Sequence, residues 1–339
     1  MNFSSDTAAP AHPAILEALA EANTGPAPSY GADRWMAAAK AALCEAFETD
    51  LDMWLLSSGT AANALALSLV CPPLGAIACH AEAHIERDER GAPEFYTGGA
   101  KLSLLPGAHA KIDLAALKAR LDASRPGFVH ETPVNALSLS NLTESGAAYT
   151  VSEIAERADL ARPHGLVHLD GARFANALVS TGATPAQLSW KAGVDLMSFG
   201  ATKNGATGCE AILLFGKARR FAPDLLARAK RAGHMPPKMR FLAAQMTAYL
   251  KDDLWLDLAR RANASAAMLA DSLVKAGGEL AHPVDGNEVF CHLPAGAADR
   301  LAAAGAGFYP WLDGSHRFVC SWTTSIQDIE ALQRALKLS

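Results

Sequence analysis

Lys203 and Asp170 are the residues whose types and spacing point most directly to chemistry. Lys203 lies in Met197-Ser-Phe-Gly-Ala-Thr-Lys-Asn-Gly205, a turn of small residues with hydroxyls at Ser198 and Thr202. Asp170 closes the short apolar run Leu166-Val167-His168-Leu169 and is followed by Gly171. A lysine amine can condense with the aldehyde of pyridoxal 5'-phosphate (PLP). A carboxylate can keep the pyridine nitrogen of that cofactor protonated, so that the ring draws electrons. Taken singly, each residue has an ordinary explanation. A lysine in such a loop is usually a surface side chain, and an acid after a strand is often a turn former or helix cap. Together they end successive strands of an alternating α/β pattern, and ligands of such sheets bind outside the carboxyl ends of the strands.

Two further segments gain meaning beside that pair. Ser57-Ser58-Gly59-Thr60 opens an alanine-rich helix. The free N–H groups and dipole of a helix start suit a phosphate, and a glycine lets the backbone come close; an ordinary Ser/Thr cap is the plain alternative. His84 follows a strand-like run, where an imidazole could stack on a cofactor ring or handle a proton. His80 and His84 share the i, i+4 spacing of a metal pair, but the segment is His-Ala-Glu-Ala-His and no third ligand lies nearby, so no metal is expected. Gly200-Ala-Thr-Lys-Asn-Gly205-Ala-Thr approaches a P-loop, with Ala206 where that motif needs lysine. Neither a dinucleotide-binding glycine motif nor a serine-hydrolase elbow occurs.

The elements that must position these residues follow from the hydrophobic pattern. Helices are predicted over 13–23, 34–48, 112–122 and about 152–162. Strands are predicted at 54–56, 77–79, 101–105, 127–130, 166–169, 196–198 and 211–215. Their alternation implies a mainly parallel seven-stranded sheet with right-handed crossovers. From about residue 216 the pattern turns helical to about 276, and a shorter α+β region follows. The chain of 339 residues is therefore expected to form a large domain over 1–240, with an N-terminal arm, and a small α+β domain over 241–339.

Composition narrows the partners. Hydrophobic residues make up 50% and charged residues 19%, which suits a large buried core. The net charge is −5 with basic residues dispersed, unlike the stripe of a nucleic-acid binder. The most apolar stretch is broken by Pro72-Pro73 and is not expected to span a membrane. The six cysteines form no CxxC pair and sit in apolar contexts, so reduced buried thiols are expected. The first residues lack a basic and then apolar leader, so a cytoplasmic protein is expected.

Assembled in order, these pieces resemble the threonine aldolase/β-eliminating lyase family of fold-type I PLP enzymes, and most of all its low-specificity L-threonine aldolases. The resemblance is carried by Ser4-Ser-Asp-Thr7, Ser29-Tyr-Gly31, Ser57-Ser-Gly-Thr60, His84 with Glu89, His168-Leu-Asp-Gly-Ala-Arg173, Ser198 to Asn204, the stretch from Lys230 to Arg240, and Arg317. It implies that Lys203 carries the cofactor, Asp170 pairs with the pyridine nitrogen, and His84 stacks on the ring and assists proton transfer. It implies a phosphate held by Ser58, Gly59, Thr60 and Arg231, and a substrate carboxylate gripped by Ser5, Arg173 and Arg317. Tyr30 becomes a wall of the site, reaching across a subunit interface of a homodimer or homotetramer. The chain departs from the family at Ala32, where members often carry aspartate, and at Glu144, near where some place a second histidine by the substrate hydroxyl. The implied reaction is cleavage of an L-β-hydroxy-α-amino acid to glycine and an aldehyde. A β-eliminating lyase or aminotransferase on the same fold, and a non-catalytic binding protein, are the alternatives.

Overall fold

A computed structural model describes every residue except Pro126, Leu338 and Ser339. In chain order its large unit comprises α1 (Pro13–Ala22), α2 (Arg34–Ala46), β1 (Asp52–Leu56), α3 (Gly59–Val70), β2 (Ala76–His80), α4 (His84–Arg87), α5 (Ala92–Thr97), β3 (Lys101–Leu105), α6 (Leu114–Asp122), β4 (Val134–Ser140), α7 (Val151–Ala161), β5 (Leu166–Gly171), α8 (Phe174–Thr181), β6 (Leu196–Gly200), β7 (Glu210–Leu214), α9 (Ala222–Arg231) and α10 (Arg240–Leu250). The long α11 (Leu254–Lys275) leads to β8 (Glu279–Leu280), β9 (Glu288–His292), α12 (Ala297–Ala303), β10 (Tyr309–Pro310), β11 (His316–Val319) and α13 (Ile326–Leu336).

The large sheet has seven strands in the order β1-β7-β6-β5-β4-β2-β3. β7 alone runs antiparallel to its neighbours, β1 and β6. Helices cover both faces, so the central strands β2, β5, β6 and β7 are buried along their whole length. Strands buried on both faces read as continuous apolar runs rather than as alternation. This explains why they are visible in the sequence, and also why one expectation failed. Gly127–His130 is not a strand: the segment turns, Gly127 has φ +81°, and Val129 is 87% exposed. The strand at that place is β4, where the run from Ala136 to Leu139 is buried between β2 and β5. Burial on both faces selects the second run over the first.

Two large cores divide the molecule, beside a minor third cluster that includes Leu67 of α3, Ile77 of β2 and Leu102 of β3. The larger, beneath the seven-stranded sheet, extends along the chain as far as Ala259 and includes Ala243, Met246 and Tyr249 of α10. The smaller takes Phe3 from the N-terminus and residues from Ala266 onward, packed on the four-stranded sheet β10-β11-β9-β8. The change of core thus falls inside α11. The N-terminal arm is strapped to the small sheet by hydrogen bonds between Phe3 and both Gly307 and Val319. All six cysteines are free, five of them buried. No helix among the described residues is long and apolar enough to cross a membrane.

Candidate active site

The carboxyl ends of β4, β5 and β6 lie in register: Ser140 opposite Asp170, and Asp170 opposite Ser198. Around them is a cavity of about 240 Å³ lined by Ser58, Gly59, Thr60, Asn63, His84, Glu144, Asp170, Arg173, Lys203 and Glu210, among others. Segments far apart in the chain therefore converge on one small space.

Lys203 stands on a single 3₁₀ turn, Thr202–Asn204, beyond β6. The turn is pinned from below: the Asn204 amide donates to the Tyr249 hydroxyl and to the Trp255 carbonyl, each at 2.8 Å. Gly205 closes it at φ +107°, and a Cβ there would lie 2.8 Å from Leu258 Cδ1, so both conformation and packing demand glycine. Among the described residues the Lys203 ammonium has neither an ion pair nor a hydrogen bond, although it shares the cavity with several acids.

Asp170 is buried, with Oδ1 accepting the Ala172 N–H at 3.0 Å and Oδ2 accepting the Asn63 amide at 2.7 Å. Burial alone would raise its pKa, but His84, His168 and these donors outweigh it, and the carboxyl is held below its ordinary value. His168 lies two residues earlier on the same face of β5 and is wholly buried between the hydroxyls of Ser138 (3.0 Å) and Ser198 (3.1 Å). Burial lowers its pKa to about 4, against the pull of Asp170, so it is a neutral prop beneath the site. The Ser198 hydroxyl is thus committed to His168.

His84 opens the short α4 and lines the cavity. Its Nδ1 is 2.8 Å from Glu89 Oε1. Its backbone N–H donates to Glu144 Oε1 at 2.8 Å, and the Ser140 hydroxyl donates to the same oxygen. Burial pushes Glu144 up to about 7 despite those donors, and its Oε2 is buried with no partner among the described residues. His80 ends β2 and bonds to Gly107 O and the Glu82 N–H. It shares no helix face with His84.

At the start of α3 the Ser58 side chain makes no cap hydrogen bond, and a Cβ on Gly59 would meet nothing within 4 Å. The first-turn N–H groups of a helix have no intrahelical acceptors. An anion therefore finds donors and room together. These donors, the unpaired amine of Lys203, the ionised Asp170 and the flat ring of His84 match the phosphate, aldehyde, ring nitrogen and ring face of PLP.

Arg173 is clamped. Its Nε and Nη2 donate to Asp6 at 2.7 and 3.2 Å, and its Nη1 lies 3.3 Å from Glu288 Oε2. Arg317 donates through Nε and Nη2 to Glu288 Oε1 at 3.1 and 2.7 Å. The two arginines are thus joined through one buried acid, although only Arg173 lines the cavity. Ser5 stands beside the cavity, accepting the Thr7 N–H, and it is Thr7 that lines it.

Two expected residues are not brought in by their own chain. Arg231 is exposed at the end of α9, where it lines a groove with Ser68, Leu69 and Phe95. Arg231 does not line the cavity that holds the α3 N-terminus. Tyr30 is 49% exposed, and its ring carries the Lys230 ammonium 4.5 Å from its centre.

Four buried side chains escaped the sequence reading of the site: Asp6, Asn63, Glu210 and Glu288. Three of them, all but Asp6, carry a faint signal. Glu210 and Glu288 each open a run that is otherwise apolar, and Asn63 interrupts an alanine and leucine helix one turn beyond Gly59. Polar groups at such positions are buried and need partners. Burial pushes Glu210 up to about 7, opposed by Thr202 and Lys203.

Comparison with known proteins places the chain in a family. The sequence profile described as β-eliminating lyase matches residues 2–295. A low-specificity L-threonine aldolase from Pseudomonas aeruginosa is 40% identical over 99% of this chain and 97% of its own. One from a Pseudomonas species is 38% identical over 95% and 93%. The structure of a threonine aldolase from Leishmania major superposes with a TM-score of 0.92 at 30% identity, covering 99% of this chain and 98% of that one.

Proposed function

Because the chain belongs to the β-eliminating lyase family, we propose that it cleaves L-β-hydroxy-α-amino acids to glycine and an aldehyde, with PLP as cofactor and L-threonine and L-allo-threonine as default substrates. One observation carries this reading: Lys203, Asp170, His84 and the open end of α3 face a single cavity. Bound there, PLP supplies an aldehyde that condenses with an amine and a ring that accepts the electron pair released from a breaking Cα–Cβ bond.

The chain's own groups supply the rest. The Lys203 amine holds the cofactor until substrate replaces it. Ser58, Gly59 and Thr60 hold the phosphate through the α3 N-terminus. Asp170, kept ionised, holds a proton on the ring nitrogen. Arg173 turns the substrate by its carboxylate, a task that suits a planar fork of donors, and Arg317 steadies it through the shared acid Glu288. Cleavage requires that the β-hydroxyl lose its proton as the aldehyde forms and that Cα gain one to give glycine. His84 lies beside that path, and Glu144, with its unpartnered oxygen, is the neighbouring acceptor. We further propose that the protein works as a homo-oligomer in which Tyr30 and Arg231 serve a neighbouring copy's cavity.

The test is product analysis. Incubating the PLP-loaded protein with L-threonine is expected to release glycine and acetaldehyde in equal amounts. Accumulation of pyridoxamine phosphate without aldehyde would instead indicate an aminotransferase, and ammonia with a keto acid an eliminating lyase.

A further inference from the structure

Glu89 follows α4, and its side chain is wholly buried. It meets no lysine or arginine. Its Oε1 takes two donors, His84 Nδ1 at 2.8 Å and Asn63 Nδ2 at 2.8 Å. The same Asn63 nitrogen gives its other hydrogen to Asp170 Oδ2 at 2.7 Å. A continuous path thus runs from His84 through Glu89 and Asn63 to the acid at the end of β5. A buried carboxyl without a basic partner is costly, and an apolar side chain would fill the same space without that cost. Something other than packing requires it.

We propose that Glu89 is the positioning residue for His84: it takes the Nδ1 hydrogen, fixes the plane of the imidazole, and leaves Nε2 as the nitrogen presented to the cavity. The inference rests on the aldolase reading above, in which that nitrogen handles the β-hydroxyl proton. A histidine whose Nδ1 is engaged by a carboxylate has its tautomer set and its charged form stabilised. Burial lowers the His84 pKa, but Glu89 and Asp170 outweigh it and the group ends above its ordinary value. Glu89 is itself raised, burial outweighing its two donors. The pair therefore keeps a proton between its members more firmly than either would alone in water. Asn63 spaces Glu89 from Asp170, so two acids stand close to the cofactor site without sharing a donorless contact.

The test is nitrogen-15 NMR on full-length protein labelled at histidine, recorded with and without PLP, the His84 signals being those lost in His84→Phe. At alkaline pH the expected tautomer of His84 carries its hydrogen on Nδ1, with a titration midpoint above about 6.5. In Glu89→Gln the midpoint is expected to fall by about a unit or more, since a neutral amide no longer stabilises the imidazolium. Far-UV circular dichroism is expected to stay unchanged in that variant, and kcat to fall more than KM rises. An Nε2-protonated tautomer in the unmutated protein would overturn the proposal, as would an unshifted midpoint in Glu89→Gln. Should Glu89→Gln fail to fold, the tautomer of the unmutated protein decides alone. The spectra need no turnover, so they judge Glu89 separately from the cleavage reaction, which is judged by glycine release.

Discussion

At the scale of single residues, the acids of the cavity differ in charge state, and that difference is measurable. Asp170 is held below its ordinary value, whereas burial pushes Glu144 and Glu210 up to about 7. If Glu144 accepts the β-hydroxyl proton, kcat rises with pH through about 7 as the carboxylate forms, and Glu144→Gln loses that limb. If His84 accepts it, His84→Phe loses the limb and slows cleavage by roughly 10²–10⁴-fold, while Glu144→Gln keeps it. Parallel pH–rate profiles of the two variants separate the roles. A raised carboxyl also affects folding. Its stabilising contribution is complete below the unfolded pKa near 4.5 and is lost as pH rises through the folded value of about 7. Each such acid then costs on the order of 3 kcal/mol at alkaline pH. Denaturant melts at pH 5.5 and 8.5 are expected to show the unmutated protein weaker at the higher pH, with the difference reduced in Glu144→Gln. An equal difference in both would contradict the assigned burial.

At the scale of elements, the start of α3 and the acid-linked arginines each make a forecast. A Cβ at Gly59 meets open space, so Gly59→Val leaves the thermal midpoint nearly unchanged. The added methyls occupy the place of the phosphate, and PLP affinity, read by absorbance titration, is expected to fall about 10- to 100-fold, or about 1.4–2.7 kcal/mol. Arg317 touches the site only through Glu288 and Arg173. Arg317→Ala frees Glu288 and loosens Arg173, and is therefore expected to raise KM for threonine with little change in PLP affinity. Much of this was legible in the sequence, because strand ends, glycine turns and a helix start are local signals. Asp170, Lys203 and Ser57-Ser58-Gly59-Thr60 announce themselves by neighbours in the chain. Asp6, Asn63 and Glu288 are harder to place, because their partners lie far away in sequence: Arg173 for Asp6, Glu89 for Asn63 and Arg317 for Glu288. The strand β4 was missed for a related reason: choosing between two short apolar runs depends on which one the sheet buries on both faces.

At the scale of the whole molecule, Leu74 and Phe95 are 86% and 77% exposed on the face that holds the groove beside Arg231. Apolar side chains so exposed are what a homo-oligomer would cover. Light scattering is expected to give a mass that is a multiple of 35.5 kDa, and Phe95→Asp to lower it together with activity; an active monomer would refute the assembly. Within each copy, segments far apart in the chain build one cavity around a single amine, Lys203. The role of that amine is tested most directly by reducing the PLP-loaded protein with borohydride and mapping the modified peptide. The expected result is loss of the visible absorbance band with one pyridoxyl group per chain, on Lys203; a pyridoxyl group on any other lysine, or none at all, would contradict the account.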